Sequence, residues 1–179
     1  MQVFWKQGYE GASLQDLTVA MGINRPSLYA AFGDKRELFR KALDRYEAQS
    51  CYMTEAAAQP TARGFALTLL RGVAGYTTDE AHPPGCLVVQ GALAGGARNE
   101  CIRQELIGRR DAVERLVCQR LERAREEGDL PADSDPADLA RYLITVVRGL
   151  AVQAAGGAGR EELLRVVDLA MLAWPAGAP

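Results

Sequence analysis

The sequence predicts an all-α protein in which a three-helix N-terminal unit, holding a helix-turn-helix, precedes a larger helical domain. Three observations predict it. Apolar residues recur at spacings of three and four through most of the chain, whereas the alternation that marks half-buried strands is almost absent. The Gly, Pro, Ser, Asn and Asp punctuation is short and falls where helices would start and stop, with no long linker, internal repeat or low-complexity tract. A chain of 179 residues, 48% of them hydrophobic, is long enough to bury its own core without disulfides or metal.

In order, Met1 to Gly8 reads as the last two turns of a helix whose beginning lies upstream. Ser13 caps a helix of about two turns carrying Leu14, Leu17, Val19 and Ala20; Asp16 completes a near capping box and Gly22 ends the helix. Asn24 caps the next, with Pro26 in its first turn, where proline costs nothing, and Gly33 at its end. Asp34 caps a third, lined on one side by Leu38, Phe39, Leu43 and Tyr46 through about Gln49. After a loop near Gln59 and Pro60 comes a helix from Ala62 to Thr78, then a rigid turn at His82-Pro83-Pro84-Gly85. Cys86 to Ala94 reads as a short apolar helix, and Asn99 caps a long one reaching Glu127. Ser134 or Asp135 caps a helix from Pro136 to Ala154, a glycine-rich turn follows, and Arg160 to Trp174 closes the chain with a stripe of Leu163, Leu164, Val167, Ala170, Met171 and Trp174. The expected division is residues 1–49 and 50–179.

The composition excludes several classes. No apolar run approaches the ~20 residues that span a bilayer, and no leader or transit pattern opens the chain, so the expected compartment is the cytoplasm. Cys51, Cys86, Cys101 and Cys118 form no C-x-x-C pair and have one histidine, His82, for company, which argues for free thiols and against structural zinc. With no G-x-S-x-G, H-E-x-x-H, phosphate-binding loop or dinucleotide fingerprint, an enzyme is not expected, nor is a cofactor. Net charge is -2, which by itself argues against a broad electrostatic nucleic-acid binder. Residues 1–50 are nevertheless slightly basic, with seven cations against six anions.

The two short helices flanking Gly22-Ile23-Asn24 fit a helix-turn-helix, whose second helix places its N-terminal residues against base edges in the major groove. Arg25, Pro26 and Ser27 stand at that helix start. Ser13, Tyr29 and Lys35 supply hydroxyls and an ammonium where phosphates would be held. The strings Gly8-Tyr9-Glu10-Gly11-Ala12-Ser13-Leu14, Ala20 through Tyr29, and Phe32-Gly33-Asp34-Lys35-Arg36-Glu37-Leu38 closely resemble the DNA-binding domain of the TetR/AcrR family. The resemblance spans about a quarter of the chain. It implies a homodimeric transcriptional regulator that grips double-stranded operator DNA, a repressor released by a small-molecule effector, with residues 50–179 binding effector and partner. Carried over by position, it assigns phosphate contacts to Ser13, Tyr29 and Lys35, base contacts to Arg25, Pro26 and Ser27, and at most a thymine-methyl contact to Ala31.

An effector pocket between the 62–78, 86–94 and long helices would draw Tyr76, His82, Cys86, Gln90 and Tyr142, a set suited to a small apolar ligand. Cys86 opens a helix, where the dipole lowers a thiol pKa; it is either a sensor or a small hydrophobe. Helices 136–154 and 160–174 present Leu139, Leu143, Val146, Val147, Leu150, Leu163, Val167 and Met171, as a dimer face or as intrachain core. A helical protein-interaction module of the same fold, without DNA binding, remains the alternative.

Overall fold

The computed structural model describes residues 1–93 and 100–175, residues 92 and 93 through their backbone alone. Its elements are α1 (Gln2–Gly11), α2 (Leu14–Met21), α3 (Arg25–Phe32), α4 (Lys35–Gln49), α5 (Tyr52–Ala57), α6 (Ala62–Thr77), α7 (Leu87–Leu93), α8 (Glu100–Glu126), α9 (Pro136–Ala155) and α10 (Arg160–Leu172). The expected Asn99 cap and the Ala94 end of the short apolar helix lie outside the described residues.

Local chemistry sets most of the boundaries. Ser13 accepts from the Asp16 N–H while the Asp16 carboxylate accepts from the Ser13 N–H, a full capping box, and Gly22 closes α2 in the left-handed conformation at φ 66°. Asn24 accepts from the Ser27 N–H, Asp34 from that of Glu37, and Asp135 from those of Ala137 and Asp138. At the start of α6, Thr61 accepts from Gly64 and the Asp129 carboxylate, from the loop behind α8, accepts from the Ala62 N–H. Gly8 sits at φ 69°, ψ 177°, interrupting α1 where an end-stop is expected, but one further turn follows it to Gly11.

Two features differ from expectation. Val19 is not on the packing face of α2: it is 75% exposed, and Thr18 is buried in its stead. From Leu14, the next inward positions of a 3.6-residue helix are 17 and 18, so Val19 has the right chemistry in the wrong phase. Thr18 tolerates burial because its hydroxyl donates back to the Leu14 carbonyl at 2.9 Å. The second difference is α5, which lacks a side-chain cap and gave no signal. A helix of 6 residues is too short to hold itself together in water, and packing supplies what propensity does not. Tyr52 lies across Gly72 of α6 so closely that a Cβ there would sit 2.4 Å from the Tyr52 Cβ.

Two apolar clusters organise the molecule. One joins α5, α6, the later part of α8, α9 and α10 around Phe65, Leu69, Leu121, Leu143 and Leu163. The other gathers Phe4, Trp5, Leu17, Leu28, Phe39 and Leu43 of the N-terminal helices with Leu87 and Val88 of α7 and Ile102 and Leu106 of α8. Phe4 meets Phe39 edge-on at 5.0 Å between ring centroids. Across the same seam, Arg40 pairs with Glu105 at 2.6 Å, and Arg109 pairs with Asp44 at 2.6 Å and Glu47 at 2.8 Å.

The contact at Gly72 yields a test. Gly72→Ala should destabilise the chain by about 1–3 kcal/mol through overpacking against Tyr52, read as a lower urea midpoint, even though alanine is the better helix former. Gly108→Ala, whose added Cβ would meet nothing within 4 Å, should do the reverse.

Candidate nucleic-acid interface and effector cavity

Helix α3 is held by Leu28, fully buried, and by Phe32 one turn later, half-buried, which turns the rest of its short length outward. Arg25, Pro26, Ser27, Tyr29 and Ala31 are all exposed, Tyr29 at 45%. The Asn24 cap holds the Ser27 N–H, fixing the start of the helix on which these residues sit. The flanks are less free. The Ser13 hydroxyl and N–H both donate to the Asp16 carboxylate, at 2.7 and 3.1 Å. Lys35 is half-buried, its Nζ 4.6 Å from the centroid of the Tyr9 ring, and burial lowers its pKa. A cation over an aromatic face keeps its charge while losing part of its water.

Behind this unit lies a cavity of about 350 Å³, within the range of small-molecule sites. Its wall comes from α4 (Tyr46, Glu47), α5 (Tyr52, Met53), α7 (Val88, Val89), α8 (Arg109, Arg110, Ala112, Val113, Leu116) and α9 (Ile144, Val147, Arg148), with Leu69 of α6 and Cys86. Of the five residues expected to gather at a pocket, Cys86 alone lines this one. Tyr76 and His82 stack instead against Trp5 of α1, at 6.1 and 4.5 Å. Gln90 faces a separate cleft with Trp5, Gly8 and Pro84. The Tyr142 hydroxyl donates to the Ala170 carbonyl at 2.9 Å, tying α9 to α10. The long helix α8 is expected on the wall; what sequence reasoning missed is the contribution of α4, α5 and α9, chiefly Tyr46, Tyr52 and Ile144, and which α8 residues, Arg110 and Val113 among them, face the cavity. The one available signal was the run of cations Arg109-Arg110 inside an amphipathic helix, which reads equally well as a solvated face.

Cys86 also departs from the expected chemistry. Its carbonyl accepts from Gln90 at the start of α7, yet burial pushes the thiol up, outweighing the Tyr46 hydroxyl and the Val88 and Val89 N–H groups that pull the other way. The short helix dipole loses to desolvation. Burial raises Tyr46 and Tyr52 as well, so these three lining groups stay protonated at neutral pH.

The apolar residues left open on the last two helices are not those expected. Leu143, Leu150, Leu163, Val167 and Met171 are intrachain core, and Leu139, Val146 and Val147 pack partly against it. The exposed ones are Val152, Val166, Leu169 and Leu172, the last at 81%.

Residues 1–42 match the model of the bacterial regulatory proteins, tetR family, and residues 67–166 that of the tetracyclin repressor-like C-terminal domain. The chain is 31% identical to the HTH-type transcriptional repressor ComR of Escherichia coli K12, over 98% of its own length and 85% of that protein's. It is 28% identical to the repressor AcnR of Corynebacterium glutamicum, over 93% of this chain and 83% of that one. Among solved structures it superposes with a TM-score of 0.93, at 46% identity, on a cysteine mutant of the TetR family regulator CifR complexed with 26bp double-strand operator DNA, covering 97% of this chain and 92% of that one. The chain belongs to the TetR family. It is therefore a DNA-binding transcriptional regulator and not an enzyme, and the interaction-module alternative is not favoured. TetR regulators are typically dimers that bind small molecules. Among the described residues, no helix is long and apolar enough to cross a membrane.

The upward shifts in the cavity fix the sign of an alkaline effect. Unfolded, Cys86 ionises near pH 9.0 and Tyr46 and Tyr52 near pH 10.0, whereas the folded chain holds all three neutral. Their contribution to stability is fully present below about pH 9 and declines as pH rises above it. Urea midpoints at about pH 8 and about pH 10 should show the fall, and Tyr46→Phe should reduce it. Native-state thiol labelling should modify Cys51 and Cys101, both exposed, well before Cys86.

Proposed function

We propose that the protein is an operator-binding repressor, active as a homodimer in the cytoplasm and released from DNA by a small effector held in the cavity behind α4. Residues 1–49 form the reading unit and 50–179 the effector-binding and dimerisation unit. The observation that carries the reading is the outward face at the start of α3, where Arg25, Pro26, Ser27 and Tyr29 are exposed with Leu28 buried behind them. CifR, the structure it superposes on so closely, is bound to operator DNA.

Arg25 donates to a guanine in the major groove, Pro26 and Ser27 lie against neighbouring base edges, and the Ala31 methyl packs on a thymine. Tyr29 and Lys35 hold phosphates, Lys35 by lifting its ammonium off the Tyr9 ring. Ser13 contributes by turning its hydroxyl from Asp16 to a phosphate. Two copies meet through the exposed apolar residues Val152, Val166, Leu169 and Leu172 of α9 and α10, setting two α3 helices about 34–36 Å apart in successive major grooves. Release requires the effector to prefer the conformer in which that spacing is wrong, a coupling of about 1–3 kcal/mol.

Selection from a random duplex library should enrich a palindromic site. On that site Arg25→Ala should relax preference at one base per half-site, costing about 1–3 kcal/mol there, whereas Lys35→Ala should weaken all duplexes alike and flatten the salt dependence. A selection that enriches nothing would sink the operator reading.

A further inference from the structure

The cavity wall contains two buried donors that no oxygen or nitrogen of the described residues answers. Arg110 Nε is shut off from solvent and has no hydrogen-bond partner, while the Tyr46 hydroxyl, equally shut off, has the Cys86 thiol, a weak partner, beside it; both residues line the cavity. Leaving a buried donor unmade costs more than a made hydrogen bond returns, so an unanswered guanidinium nitrogen and a weakly answered hydroxyl among the lining residues call for an acceptor bound there.

The charges around the cavity narrow the acceptor's identity. Arg109 is engaged by Asp44 and Glu47, and Arg148 lies 3.3 Å from Glu114. Glu47, the carboxylate on the wall, is thereby neutralised by Arg109. Arg110 alone of these three guanidiniums has no ion pair among the described residues. A guanidinium cannot lose its proton, and it presents a planar fork that matches a carboxylate. Most of the rest of the wall is apolar, with Leu69, Val88, Val89, Val113 and Ile144.

Building on the reading of this cavity as the effector site, we infer that its ligand is a small monocarboxylate, its carboxylate on Arg110, a further oxygen contact from the Tyr46 hydroxyl, and an aliphatic or aryl body against the valines. Neutral apolar compounds of the same shape leave Arg110 unanswered and bind more weakly.

Two matched pairs of probes test this on the full chain without DNA: octanoate against octanol, and phenylbutyrate against phenylbutanol, by calorimetric titration and by thermal stabilisation. At least one acid should bind about ten- to hundredfold more tightly than its alcohol, the usual difference made by a charge-assisted hydrogen bond. Arg110→Gln should erase that preference without changing alcohol binding, Arg110→Lys should keep part of it, and Tyr46→Phe should weaken the acid by a smaller factor. Alcohols binding as tightly as the acids, or acids binding Arg110→Gln as well as the parent, would overturn the carboxylate assignment and leave the effector cavity standing. If none of the four compounds binds, the assignment falls also, and operator selection still judges the repressor reading separately.

Discussion

The structure depends on one shared apolar seam. Phe39 and Leu43 of α4, with Phe4 and Trp5 of α1, are buried against Leu87 and Val88 of α7 and Ile102 and Leu106 of α8. Ion pairs cross the same boundary, but they are partly exposed, with Arg40 at 41% and Asp44 at 64%. Such pairs contribute about 0–1 kcal/mol each, while each fully buried Leu or Phe contributes about 1.5–3 kcal/mol. Apolar contact therefore decides how firmly the reading unit is held, and the arginines at positions 40 and 109 chiefly fix its register.

The seam also determines what the cavity can influence. Helix α4 begins at Lys35 beside the recognition helix and ends with Tyr46 and Glu47 on the cavity wall, a rigid span of about 20 Å for its 15 residues. Tyr46 stands edge-on to Trp5 at 4.8 Å, and Trp5 in turn stacks on His82 at 4.5 Å. A displacement of Tyr46 is therefore felt by α1 as well as α4. Close-packed groups of this kind re-seat as units and do not deform smoothly, which is the property a two-state regulator requires.

What the sequence reveals here is the chemistry that acts over one helical turn. Ser13, Asn24, Asp34 and Asp135 announce their caps because the donor they satisfy lies two or three residues ahead, and Gly22 and Gly33 mark stops for the same local reason. The exposure of Tyr29 fits its place a quarter-turn round from buried Leu28, whereas Arg25, on the same side as Leu28 three residues earlier, is exposed in the first turn of the helix. Val19 misleads because residue type was weighed without phase. The cavity is illegible for a different reason: Tyr46, Cys86, Arg110 and Ile144 are far apart in the chain and meet only through the packing of four helices. Tyr76 and His82 are polar groups in a suggestive place, yet an indole neighbour from α1 claims them. The short helix at Tyr52 owes its existence to a missing side chain at Gly72, a cause located twenty residues away.

The seam bears finally on how such a regulator can diversify. Cut at Gln49, the reading unit would lose the floor beneath Phe39, Leu43 and Tyr46, so it is not an interchangeable cassette that recombination can graft onto an arbitrary sensor. On the proposed reading, new operators would arise by changes on the outer face of α3 and new signals by changes around the cavity. The residues joining the two must stay matched, which leaves the periphery as the place where either specificity can change by point substitution.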